Sequence, residues 1–166
     1  MVPVEAPAEI PLLNFSFAQL GKNAWALFSH VFLQLPDIFF NSIPAFGPLY
    51  HVSIPFVFVG IIVFTIQLFR EKNIEKQTQM LALWGFLVTG IWVGLITYEV
   101  NINRVNIIFY PIILLCAYGI GLTVRKWKKL WPVVAAAYGI SSILFFGIYF
   151  TTSVSYTHLT LPTTPY

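Results

Sequence analysis

The chain has 166 residues, of which 58% are hydrophobic and 17% aromatic, while only 9% carry a charge. Soluble globular domains have about a quarter of their residues charged, so this composition excludes that class and points to a membrane protein whose main partner is the lipid bilayer. The net charge of +3 does not signal nucleic acid: of the nine Lys and Arg, all but Lys22 and Arg104 fall in two short clusters between apolar runs.

Met1 is followed by no basic segment, and Glu5, Glu9, Pro3, Pro7 and Pro11 do not make a signal peptide, so Met1 reads as an internal methionine. Next, Phe15, Leu20, Ala24, Leu27, Phe28, Val31 and Leu35 recur at three- and four-residue spacing, interrupted by Lys22, Asn23 and His30. This pattern predicts an amphipathic helix lying externally on the bilayer and ending at Pro36 and Asp37. Residues 41–50, Asn-Ser-Ile-Pro-Ala-Phe-Gly-Pro-Leu-Tyr, then read as an extended, proline-bent approach to the membrane.

Four spans are predicted, at 52–69, 81–98, 107–124 and 131–150. A hydrocarbon core of about 30 Å takes roughly 20 apolar residues in a helix. Only helices and closed barrels satisfy the backbone there, and these runs are too long for barrel strands and lack their alternation. The expected fold class is all-α: a polytopic transmembrane helix bundle of four spans plus the N-terminal external amphipathic helix. Pro55, Pro111 and Pro132 fall in the opening turns of their spans, where a missing amide donor costs least. Two small-residue stretches, Gly90-Ile-Trp-Val-Gly94 and Ala135-Ala-Ala-Tyr-Gly139, offer faces for close helix approach.

Between the spans, Arg70, Lys72 and Lys76 occupy the first connection and Arg125, Lys126, Lys128 and Lys129 the third, while the second holds Arg104 alone. The positive-inside rule places the first and third in the cytoplasm, and residues 1–51 and the 99–104 turn outside, in a multi-pass protein of the cell membrane. Tyr50, Tyr98, Trp127 and Trp131 stand near span ends as interfacial anchors. From about residue 153 onward, Ser-Val-Ser-Tyr-Thr-His-Leu-Thr-Leu-Pro-Thr-Thr-Pro-Tyr reads as translated sequencing-library adapter, with Val154 to Thr163 matching a transposase adapter codon by codon. Residues 153–166 are therefore expected to be non-native and without function.

Deep in the spans the polar side chains are Thr65, Gln67, Thr89 and Ser141. None is ionisable, which argues against a self-contained ion pump. Cys116, the single cysteine, lies in an apolar run and reads as a packing residue, and neither metal nor cofactor is expected. Near the outer boundary fall Asp37, Asn41, Tyr50, His51, Glu99, Asn101, Asn103, Arg104 and Asn106. The planar fork of a guanidinium suits phosphate oxygens, so Arg104 is the first choice for a ligand contact; the alternative is that it anchors its helix at lipid phosphates or pairs with Glu99. His51 has the chemistry of a general acid or base, or of a hydrogen-bonded boundary residue. No catalytic residue is assigned; Arg104, Asn103, Tyr50 and His51 are the substrate-binding candidates.

Two stretches carry a family resemblance: residues 41–50 leading into Val52-Ser-Ile-Pro-Phe56, and Asn103-Arg-Val-Asn-Ile-Ile-Phe-Tyr-Pro111 continuing to Tyr118-Gly119-Ile120. They resemble bacterial polytopic glycosyltransferases of the dolichyl-phosphate-mannose protein mannosyltransferase type, over roughly residues 36–150. The resemblance implies transfer of a sugar from a polyprenyl-phosphate carrier at the outer membrane face, with Arg104 helping to hold the carrier phosphate. The family's catalytic acid lies in a first external loop with no counterpart here. The chain therefore reads as a C-terminal-half fragment, catalytically incomplete, whose partners include the missing N-terminal spans and the polyprenyl-linked sugar. Two other readings compete with it. One is a small four-span subunit, either a transporter component or a scaffold, without enzymatic activity; the other is a fragment of a different lipid-linked polysaccharide enzyme.

Overall fold

A computed structural model describes residues 16–35, 43, 46–98 and 100–153. Among them the chain is all-α: α1 (Phe17–Phe28), α2 (Ile54–Arg70), α3 (Ile74–Ile96), α4 (Phe109–Lys126) and α5 (Trp131–Ile148), with no β-strand. Four helical stretches are long and apolar enough to cross a membrane: His51–Arg70, Ile74–Ile96, Asn106–Lys126 and Lys128–Thr151. The protein is thus a multi-pass transmembrane bundle. The expected end of the first helix at Pro36 and Asp37, residues 41, 42, 44 and 45 of the expected extended segment, and the adapter-like tail from Val154 lie outside the described residues; in the described part of that segment the Phe46 amide donates to the Ile43 carbonyl at 3.0 Å, closing a turn.

Local chemistry sets the boundaries. The second span begins at Ile74, seven positions before the predicted 81. Asn73 caps the helix by accepting from the Lys76 amide at 3.2 Å, and Glu71 Oε1 accepts from the amides of Lys72 and Asn73 at 3.0 Å each. The polar connection shrinks to three residues, and Glu75 and Lys76 become the exposed first turn of α3. Pro55 and Pro132 occupy the first turns of α2 and α5 as their sequence positions require.

The core is centred on α2 and α4. Val57, Leu87, Val105, Ile108, Phe109, Ile112 and Leu115 are buried together with Leu27 and Val31 from the N-terminal helix, and Cys116 completes the cluster. Gly60 and Gly119 let the backbones of α2 and α4 touch: a Cβ on Gly60 would collide with the Leu115 carbonyl, and one on Gly119 with that of Phe56. Gly90 similarly admits the Ile108 backbone, whose Cα lies 3.1 Å from where a Cβ would stand, and Gly94 admits Leu27. Small residues at such crossings permit the van der Waals packing that drives helix association in lipid. The other small-residue stretch behaves differently. Ala135, Ala136 and Gly139 are exposed on α5, and a Cβ at Gly139 would meet nothing within 4 Å.

α1 docks on the C-terminal end of α3 rather than standing apart. Buried Asn23 donates from Nδ2 to the carbonyls of Leu95 (2.7 Å) and Thr97 (2.6 Å) and accepts from Gln19, whose amide also reaches the Tyr98 carbonyl at 2.8 Å. The last carbonyls of a helix lack partners within it, and here one long-range amide supplies them.

Candidate functional site

The candidates at the boundary fall on two elements. Asn103 and Arg104 sit on the turn between α3 and α4, both exposed, as is Asn106 at the start of the next helical turn. Asn101 builds this turn. The Arg104 amide donates to the Asn101 carbonyl (3.1 Å) and to its Oδ1 (3.0 Å), and the Val105 amide donates to the same carbonyl at 3.1 Å. An asparagine side chain that imitates a backbone turn in this way fixes the residues after it. Val105 beside Arg104 is fully buried, so one residue pins the turn to the core while its neighbour is presented outward. Arg104 thus stands at the end of the bundle where α3 finishes and α4 starts; Arg70, Arg125 and Lys126 stand at the end where α2 and α4 finish.

Tyr50 and His51 head α2. His51 is exposed and opens the helical turn His51–Ser53. Tyr50 is half-buried and faces α5: its hydroxyl donates to Ser142 Oγ at 3.4 Å, and its ring meets Tyr138 and Phe145 edge-on at 6.1 and 6.3 Å. A further edge-on contact joins Tyr50 to Phe46 at 6.2 Å, and none of these contacts is with the Asn103–Arg104 turn. Asp37, Asn41 and Glu99 lie outside the described residues.

A polar joint between spans went unseen in the sequence. Ser53 Oγ and the Tyr138 hydroxyl are 2.8 Å apart, Cys116 Sγ is 3.5 Å from that hydroxyl, and the thiol donates to the Ser53 carbonyl at 3.7 Å. Each residue is unremarkable in its own run, and only the fold brings α2, α4 and α5 together at this point. Two of the four polar residues that the sequence did single out bond within their own helices. Thr65 and Thr89 donate to the carbonyls of Ile61 and Gly85 four residues back, at 2.6 and 2.8 Å. Gln67 accepts from the Tyr118 hydroxyl.

Comparison with protein-family models, curated proteins and solved structures found no match to this chain. The residues behind the glycosyltransferase resemblance have structural duties of their own. Pro111 is buried in the first turn of α4, and Gly119 is the point at which α4 touches α2. Among the described residues, no three His, Cys, Asp or Glu side chains gather in a metal-binding arrangement.

Proposed function

We propose that the chain is the carrier-binding part of an integral-membrane glycosyltransferase that uses a polyprenyl-phosphate-linked sugar, with Arg104 contacting the phosphate and Asn103 hydrogen-bonding beside it. One observation supports this reading above others: an exposed guanidinium is held on a turn that is itself locked by Asn101 and by buried Val105, at the mouth of the bundle. The backbone beneath Arg104 is fixed, and the planar fork of its guanidinium matches phosphate oxygens, which is what a lipid-phosphate site at the boundary needs. His51 and Tyr50 at the head of α2 are further substrate-binding candidates in this proposal, His51 exposed and Tyr50 turned to α5. The Arg104 end is the outer face of the cell membrane, because the other end carries the two basic clusters. No residue of this sequence is assigned as the catalytic acid, so sugar transfer by the chain alone is not part of the proposal.

The test is equilibrium binding of a polyprenyl phosphate to the full chain in phosphatidylcholine nanodiscs. Arg104→Ala is expected to weaken binding about tenfold or more, since a charge-assisted hydrogen bond contributes about 1.5–3 kcal/mol. Unchanged affinity in that variant removes Arg104 from the site. Absence of binding by the unaltered chain favours the second reading, a small membrane subunit or scaffold, which draws on the exposed Ala135, Ala136 and Gly139 of α5 as an association face.

A further inference from the structure

The N-terminal helix has its polarity inside out. From Asn23 to Leu35 the exposed residues are Ala24, Trp25, Phe28, Leu33 and Leu35, while Asn23, Ser29, His30 and Gln34 are buried together with Leu27 and Val31. Exposure reaches 61% at Trp25 against 2% at Asn23. A helix lying on the surface between water and lipid shows the opposite arrangement on its protein-free side, with polar residues turned to water. Only at the N-terminal end, at Ser16 and Lys22, are polar residues exposed.

We infer that α1 is a re-entrant helix, inserted into one leaflet beside α3, and that its Trp25–Phe28–Leu33 face is covered by lipid acyl chains. The contacts run downward along α3 in order: Gln19 at Tyr98, Asn23 at Leu95 and Thr97, Leu27 at Gly94. Further on, Phe32 stacks on Phe58 of α2 with centroids 5.0 Å apart, and Phe28 packs on Phe32 at 5.3 Å. The exposed aromatic face of α1 thereby continues into the exposed face of a spanning helix, since Phe58 itself is exposed. From Tyr98 to Gly94 the contacts descend four residues along the C-terminal end of α3, or about 6 Å, within the roughly 15 Å of one leaflet's hydrocarbon.

The end of the helix is equipped for such a location. Non-helical backbone is tolerated at membrane depth only when protein groups satisfy it. The helix closes with the wider turn Ser29–Leu33, and Gln34 then takes a left-handed conformation, φ 52°. Its buried side chain donates to the Val31 carbonyl and accepts from the Leu49 amide at 2.7 Å. The Leu35 carbonyl is met by His30 Nδ1 at 3.2 Å, and the Leu35 amide donates to the Ser29 carbonyl at 3.2 Å. Ser29 Oγ donates to the Trp25 carbonyl at 2.8 Å. Among the described residues of the reversal the polar side chains are turned inward, and those left exposed, Leu33 and Leu35, are apolar.

Spin labels placed on the full chain in phosphatidylcholine vesicles test this. On a Cys116→Ala background, labels at Phe28→Cys and, separately, Leu33→Cys are expected to be relaxed by oxygen and to lose broadening by a water-soluble nickel chelate, as a label at Ile143→Cys on α5 does. A label at Lys22→Cys is expected to retain nickel broadening. Nickel access at positions 28 and 33 equal to that at 22 would overturn the inference by placing the helix in water or at the surface. Exclusion of both reagents would overturn it differently, by showing that protein rather than lipid covers this face.

Discussion

Gly60 and Gly119 meet across the α2–α4 crossing, the Gly60 amide nitrogen lying 3.0 Å from where a Cβ on Gly119 would stand. Neither position has room for a side chain, and both obstructions are backbone, which cannot swing aside. Gly119→Leu and Gly60→Leu should each force the two helices apart, at a cost of about 1–3 kcal/mol or more. Gly121→Leu and Gly147→Leu, with nothing within 4 Å, should be close to neutral. Thermal unfolding in detergent, followed by circular dichroism, separates the two classes; equal midpoints for all four variants would discard the crossing.

Asn23 offers a second test, because its amide has both protons and its oxygen engaged. Asn23→Ala leaves the Leu95 and Thr97 carbonyls without that donor, costing about 1–3 kcal/mol in a buried site. Asn23→Asp should cost more than Ala, since a carboxylate would face two carbonyl oxygens. Hydrogen exchange by mass spectrometry should show α1 losing protection in both variants while α4 keeps its own. If α1 exchanges at the unaltered rate in Asn23→Asp, the amide is not what holds it.

The spans were legible because charge is costly in hydrocarbon: uncharged runs separated by the charged segments Arg70 to Lys76 and Arg125 to Lys129 leave few other arrangements. What the spans touch was not legible. Gly119 and Gly121 look equivalent in sequence, yet one is pressed against Phe56 and the other stands in open space. Asn23 read as an interruption of an apolar stripe, although it is the most deeply buried polar residue of α1. Its partners lie more than seventy residues away, beyond any local pattern. Tyr50 read as an interfacial anchor, and its bond to Ser142 required knowing that α5 returns beside α2. Of the candidate site, the exposure of Asn103 and Arg104 followed from their place in a polar turn; the role of Asn101 in setting that turn did not.

α5 is the least attached span. Val134 is its one buried apolar residue among those described, and the Tyr138 hydroxyl, with Tyr50 and Ser142, supplies its polar tether. Hydrogen bonds between helices in lipid contribute about 0.6 kcal/mol on average. Tyr138→Phe keeps the ring contacts and removes the hydroxyl's bond to Ser53 and its weaker contact with Cys116, so a loss of about 0.5–1.5 kcal/mol is expected. A double-mutant cycle with Ser53→Ala reads the coupling directly: additive losses would mean that the two hydroxyls do not interact.

Orientation decides whether the Arg104 turn meets a carrier on the outer face. On a Cys116→Ala background, Asn103→Cys should react with a membrane-impermeant maleimide in intact cells, whereas Lys72→Cys and Lys128→Cys should react only after permeabilisation. The buried thiol of Cys116 is removed so that every signal comes from the introduced residue. The expectation rests on basic residues crowding one side, Arg70, Lys72 and Lys76 with Arg125, Lys126, Lys128 and Lys129, against Lys22 and Arg104 on the other. Changing Lys126, Lys128 and Lys129 together to Gln should therefore raise the fraction of molecules with the opposite labelling pattern. Changing Glu71 and Glu75 to Gln should not, because acidic residues weigh little in orientation. If Asn103→Cys is protected in intact cells while Lys128→Cys reacts, the bundle is inverted, Arg104 faces the cytoplasm, and a carrier phosphate on the outer leaflet is out of its reach.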